Sequence, residues 1–156
     1  MARLSSLASV ADTRAVLDRF GLSTKKSLGQ HFLINDGVVE RICNLAELSQ
    51  TDRVVEVGPG IGTLTEALLK RSGEVVSIER DTDLIEVLEE TCAPFSDTFS
   101  LISADALDVR AGELPFAPNK LVSNLPYAVA ATIVLDFFER FESLESATIM
   151  VQAEVA

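Results

Sequence analysis

The chain has 156 residues, 47% of them hydrophobic and 24% charged, which suits one folded domain with its own core and excludes a disordered or low-complexity polypeptide. Its longest apolar run, Ala128 to Leu135, is interrupted by Thr132 and stops at Asp136, well short of the roughly 20 residues of a membrane span, and the stretch before Asp12 lacks the sustained apolar segment of a secretory signal. The net charge of −11 is unevenly spread: residues 1–30 carry five basic and two acidic groups, a balance of +3, while residues 31–156 carry eight basic and twenty-two acidic groups, a balance of −14.

A cytoplasmic protein without a membrane segment is expected. The basic N-terminal arm, with Arg14, Arg19, Lys25 and Lys26, is suited to touching phosphate even though the remainder is acidic; ordinary helix-surface charge accounts for it equally well. Cys43 and Cys92 fall in helical patterns with no second thiol or histidine at metal spacing, and His31 is the single histidine. Buried free thiols and no metal site are the expectation.

In chain order, Ala15, Val16 and Phe20 recur at helical spacing between Asp12 and Phe20, and Gly21 is a stop signal. Ser23 to Phe32 reads as a loop. Asn35 or Asp36 then caps a helix predicted to turn Val38, Val39, Ile42, Leu45 and Ala46 inward. Arg53 to Val57 is short and β-branched, and Gly58 to Thr63 breaks it before Leu64, Ala67 and Leu68 resume helical spacing. Glu74 to Glu79 repeats the strand pattern and Asp81 to Thr91 the helix. Further strands are predicted at Phe99 to Ser103, Lys120 to Ser123 and Ala147 to Val151, with a helix over roughly Ala128 to Phe141. Such alternation implies parallel strands joined by helical crossovers, hence a three-layer α/β sandwich. The last residues, AEVA, read as the opening turn of another helix, so an unfinished domain is expected.

In open parallel sheets ligands bind beyond the carboxyl ends of the strands, and each predicted strand ends in a useful group. The first ends in Glu56-Val57-Gly58-Pro59-Gly60-Ile61-Gly62-Thr63. Its glycines permit close backbone approach and a tight turn into a helix N-terminus, and the G-x-G-x-G spacing departs from the G-x-G-x-x-G of nicotinamide and flavin binders. Glu56 before the loop and Leu64-Thr65 behind it sharpen the pattern. The second strand ends at Glu79, placed to accept the hydroxyls of a ribose, although a solvated glutamate capping the next helix fits as well. Asp105, after the third, can accept from an adenine amine or be a plain turn residue. The fourth ends in Asn124-Leu125-Pro126-Tyr127: an amide, a stiffening proline and an aromatic make a platform for a flat, amine-bearing ring. Asn124 and the Leu125 carbonyl can accept the two amine hydrogens and Tyr127 can stack, a combination of little use to a turn built only for packing.

Taken together, GQHFL at Gly29–Leu33, EVGPGIGTLT at Glu56–Thr65, IERD at Ile78–Asp81, DAL at Asp105–Leu107 and NLPY at Asn124–Tyr127 resemble the ribosomal RNA adenine dimethyltransferase family. The resemblance runs from the N-terminal arm to Ala156. It implies a Rossmann-like class I S-adenosylmethionine-dependent methyltransferase fold, truncated at its C-terminus, because family members continue with two more strands and a small helical domain that helps grip RNA. By the same resemblance, residues 1–35 form an N-terminal helix and a loop that closes over the cofactor, and residues 36–156 an incomplete S-adenosylmethionine-binding domain. His31 and Leu33 would contact the cofactor from the loop, Gly58 and Gly60 would admit its methionine part, Glu79 would hold the ribose and Asp105 the adenine amine. Asn124, with Leu125, Pro126 and Tyr127, would sit where methyl donor and target base meet. His31 replaces an asparagine common in the family, which favours a backbone role.

The implied activity is dimethylation of the exocyclic amines of two adjacent adenines in a 3′-end hairpin loop of 16S rRNA, a step of small-subunit biogenesis. The chemistry is an in-line displacement without metal or covalent enzyme intermediate. A full-length protein is expected to be monomeric, whereas an open fifth strand would let a fragment self-associate. Three other readings share features with this one: a 23S rRNA adenine methyltransferase of the macrolide-resistance type, for which NIPY is commoner than NLPY; a non-catalytic RNA-binding or ribosome-assembly module; and a nicotinamide-dependent oxidoreductase, disfavoured by the glycine spacing.

Overall fold

The computed structural model describes residues 3–22 and 35–152. Helix α1 (Val10–Arg19) opens on a Ser9 cap whose side chain accepts from the Asp12 N–H, and α2 (Asp36–Leu45) on an Asn35 cap whose side chain accepts from the Val38 N–H. These caps satisfy amides that the first helical turn leaves without intrahelical partners. Then come β1 (Arg53–Val57), α3 (Thr63–Arg71), β2 (Glu74–Glu79), α4 (Thr82–Thr91), β3 (Phe99–Ser103), β4 (Lys120–Pro126), α5 (Tyr127–Arg140) and β5 (Ser146–Gln152). The strands form one sheet in the order β3-β2-β1-β4-β5, with every recorded pairing parallel.

The period-two alternation of β-strands divides the core. Val54, Val75 and Val122 point to one face, where α1, α2, α3 and α4 cover them with Leu17, Val39, Ile42, Leu68 and Leu88. Val55, Val76, Ile78 and Leu121 point to the other, against Ile133, Phe137 and Phe141 of α5 and its C-terminal end. The expected three layers are therefore present. The N-terminal segment joins the first core: Leu7 and Ala8 are buried in it, the Leu4 and Ser5 amides donate to Asp36 at 3.0 and 2.8 Å, and Ser6 donates from its amide and hydroxyl to Glu66.

Three expectations are corrected. Leu45 is 68% exposed, because α2 turns Val39, Ile42, Cys43 and Ala46 inward at i, i+3, i+4 and i+7, a stripe that Leu45 falls outside. On α1 the inward set is Thr13, Val16 and Leu17, which leaves Ala15 on the solvent side. And β4 continues past Ser123 through Pro126, with α5 starting directly at Tyr127. The proline is tolerated in an internal strand because it comes after neighbouring β1 has ended, so its missing N–H costs that ladder nothing.

Both cysteines are buried, and burial pushes their thiols up to about 11 at Cys43 and about 12 at Cys92. Among the described residues no helix is long and apolar enough to cross a membrane, and no group of three or more His, Cys, Asp or Glu could hold a metal ion.

Candidate active site

The strand order reverses between β1 and β4, and there the sheet opens. The two strands share register only at Val54↔Lys120 and Val55↔Leu121. Further along, the Val57 N–H donates instead to the Ser123 hydroxyl at 2.8 Å, both groups being buried. A cavity of about 620 Å³ lies beyond the parted tips, lined among others by Gly58, Gly60, Glu79, Asp105, Asn124, Leu125 and Pro126. Seven of the candidate residues thus meet on one surface. Tyr127 stands next to Pro126 as the first residue of α5 and is 70% exposed. His31 and Leu33 lie outside the described residues.

The glycine loop is shaped by two separate demands. Gly58 has φ +67°, its N–H donates to the Ile78 carbonyl, and a methyl added there would meet only the Leu125 side chain at 4.0 Å. The space above it belongs to the cavity. Gly62, with φ +99°, is a packing requirement: an added Cβ would come within 2.8 Å of the Thr91 hydroxyl, which is fixed by donating to the Ile61 carbonyl.

Beneath the loop Glu56 is 1% exposed. Its Oε1 accepts from the Thr65 hydroxyl of α3 at 2.5 Å and the Ser77 hydroxyl of β2 at 2.8 Å, while burial pushes its carboxyl up to about 7. Glu79 offers one oxygen to the Gly60 N–H at 3.2 Å and the other to the Asp81 N–H at 2.9 Å. Burial raises its carboxyl too, against these two backbone bonds. A carboxylate oxygen takes more than one hydrogen bond, so Glu79 retains capacity toward the cavity. Asp105 uses Oδ1 to accept from the Leu107 N–H at 3.0 Å, capping the 3₁₀ turn Ala106–Asp108.

Thr63 was not singled out from sequence. It is 4% exposed, lines the cavity at the first turn of α3, and its hydroxyl has no partner among the described residues. A buried hydroxyl left unpaired beside a cavity calls for a polar ligand group. Together with the open space over Gly58 and the acceptors on Glu79 and Asp105, it fits an amino-acid-bearing nucleoside. Ser123 was likewise missed, since nothing local distinguishes a hydroxyl that completes a neighbouring strand from any other strand serine. The basic arm is partly spent on internal pairs: Arg19 lies 3.0 Å from Glu90 and Arg3 2.8 Å from Asp12, whereas Arg14 is exposed and Lys25 and Lys26 lie outside the described residues.

Known proteins are similar to this chain in sequence and in fold. The family described as Ribosomal RNA adenine dimethylase matches residues 21–156. A curated relative from Dehalococcoides mccartyi, Ribosomal RNA small subunit methyltransferase A, is 42% identical over 149 residues, 94% of this chain and 51% of its own length. The chain thus spans about half the length of the curated relatives it matches. Among solved structures, the 23S rRNA methyltransferase ErmE is 32% identical with a TM-score of 0.69, covering 78% of this chain and 48% of its own. An RNA methyltransferase from Salinibacter ruber, solved in complex with S-adenosyl-L-homocysteine, shares the fold at 22% identity and a TM-score of 0.58, covering 67% of each chain. The parallel sheet and its helices are those of a class I methyltransferase, and the chain belongs to the ribosomal RNA adenine dimethylase family.

Proposed function

We propose that the protein uses S-adenosylmethionine to dimethylate the exocyclic amines of adjacent adenines in a 3′-end hairpin loop of 16S rRNA, a step in small-subunit biogenesis. The observation that carries the reading is the convergence of four strand tips, bearing Gly58, Glu79, Asp105 and Asn124, on one crevice at the point where strand order reverses. Greater identity to the small-subunit relatives than to ErmE favours 16S over 23S rRNA.

When bound, the cofactor supplies a methyl group already activated by a positive sulfur. The chain's contribution is then mostly positioning. Glu79 accepts the ribose hydroxyls and Asp105 the adenine amine, while Gly58 and Gly60 leave room for the amino-acid tail, toward which Thr63 offers its hydroxyl. In this reading residues 1–35 are the N-terminal unit, with helix α1 and, outside the described residues, His31 and Leu33 as cofactor contacts that the family resemblance implies. Residues 36–156 carry the remaining contacts. Asn124 and the Leu125 carbonyl accept the two hydrogens of the target amine and turn its lone pair toward the methyl, Pro126 stiffens the junction of β4 and α5, and Tyr127 stacks on the extruded base. Such stacking contributes about 1–3 kcal/mol, and an unpaired loop makes extrusion inexpensive. In each transfer the amine nitrogen would take the methyl carbon from the cofactor, which leaves as a neutral thioether, and the amine would release one proton to water.

Two measurements test the proposal. Calorimetry is expected to show binding of S-adenosylhomocysteine and none of NAD; the reverse would replace the reading with an oxidoreductase. Tritiated-methyl transfer to 30S subunits, comparing this chain with one extended beyond Ala156, tests the substrate. Asn124→Ala is expected to suppress transfer by at least about 100-fold with cofactor binding still measurable by calorimetry, and unchanged turnover would remove Asn124 from the mechanism.

A further inference from the structure

Behind the wall that bears Asp105 the fold holds a clamp with no part in the roles assigned above. The turn Ala106–Asp108 follows Asp105 at the tip of β3 and is capped from the front, its Leu107 N–H bonded to the Asp105 carboxylate and its Asp108 N–H to the Asp105 carbonyl at 2.9 Å. From behind comes Arg140, the last residue of α5. One amino group of its guanidinium donates to the Ala106 carbonyl at 2.8 Å and the other to the Val109 carbonyl. The planar fork therefore straddles the turn from end to end. The fork itself is held: its Nε donates to Asp136, one helical turn earlier, at 2.7 Å, and it lies over the rings of Phe137 and Phe141 at 5.4 and 4.9 Å from their centroids.

A surface arginine gains little from so ordered a geometry. This one is three-quarters buried, its side chain 26% exposed, and it spends its donors on two main-chain carbonyls and a carboxylate. Hydrogen bonds tolerate only a few tenths of an ångström, so a turn able to drift would carry Asp105 out of reach of a base. We propose that Arg140 is a positioning residue for base selection: by locking the turn it holds the Asp105 carboxylate where a 6-amino purine is accepted and a 6-oxo purine rejected. The inference rests on the reading that Asp105 receives the adenine amine.

Calorimetric affinities for S-adenosylhomocysteine and its deaminated analogue S-inosylhomocysteine test it in wild type, Asp105→Asn, Arg140→Met and Arg140→Lys. Wild type is expected to prefer the amino form by at least about tenfold, and Asp105→Asn, which keeps the capping oxygen but turns an amide N–H toward the base, to lose or invert that preference. Arg140→Met, which keeps the stem over the phenyl rings, is expected to bring the preference to within about threefold by weakening the amino form alone, with Arg140→Lys in between. A merely structural role would weaken both ligands equally; an unchanged ratio in both arginine variants overturns the clamp. Should the methionine variant not fold, the lysine variant decides by the same ratio. Absence of preference in wild type, or its survival in Asp105→Asn, defeats the reading of Asp105 and the clamp with it.

Discussion

Glu56 illustrates how one side chain under the glycine loop ties three elements together and makes stability depend on pH. In the fold burial pushes its carboxyl up from 4.5 to about 7, so between those values the folded chain keeps a proton that the unfolded chain has released. Its stabilising contribution is complete below pH 4.5, declines across that window and is gone above about pH 7. Glu56→Gln, whose amide oxygen can accept from both Thr65 and Ser77, is expected to flatten this decline in denaturant titrations from pH 4.5 to 8. Glu79, raised by burial in the same sense, leaves a residual slope. An unaltered profile would show that Glu56 is ionised throughout. The place of Glu56 before the loop was legible in the sequence, but its state was not: a glutamate is read as solvated until the fold shows that the Thr65 and Ser77 hydroxyls close over it.

At the scale of elements, the end of the sheet remote from the cavity is fastened by Asp52. Its two oxygens accept from the Asn119 side chain at 2.8 Å, the Ser49 N–H at 2.7 Å and the Lys120 ammonium at 3.1 Å, and that ammonium also donates to the Ala46 and Glu47 carbonyls at 2.8 and 2.9 Å. The starts of β1 and β4 and the end of α2 are thus bound through one pair, 8% and 15% exposed at its side chains. Lys120→Met leaves the carboxylate short of its cation and is expected to cost about 3 kcal/mol, read from the midpoint of urea unfolding. A loss below about 1 kcal/mol would mean that Asn119 and Ser49 suffice. Elements of this kind were readable because periodicity is local: β1 and β2 are β-branched runs with Gly58 and Gly73 at their ends, the other strands are short apolar runs between polar or turn residues, and tip residues follow from where those runs stop. Fastenings are not local. Lys120 meets Asp52 across 68 positions, Ser123 meets Val57 across 66 and Arg140 meets Ala106 across 34, and none carries a pattern in its own neighbourhood. The inward stripe of α2 was misread at Leu45 because a leucine at a helix end counts as apolar wherever it points.

Across the whole molecule, β5 is, with β3, one of the two margins of the sheet among the described residues. It matches β4 along its full length, from Lys120↔Ser146 to Pro126↔Gln152, and offers its other side to solvent with Val151 39% exposed. An uncovered, uncharged strand margin is a template for a second chain. Light scattering of Met1–Ala156 is expected to show mass rising with concentration, and Val151→Lys to suppress the rise; a clean monomer at high concentration would contradict this. The family resemblance was legible because four of its motifs stand where strands β1 to β4 end, the places that bear on the cavity, whereas the grip on RNA was not, since of the basic residues in the arm Arg19 turns toward Glu90.

The Ser123 hydroxyl that caps the Val57 amide has a kinetic corollary. Because the Ser123 hydroxyl satisfies that amide where the ladder ends, the parting of the two tips leaves no orphaned donor at Val57, and the cleft is held open by the protein's own groups. Differences in affinity among variants of the lining should then reside chiefly in how fast the guest departs.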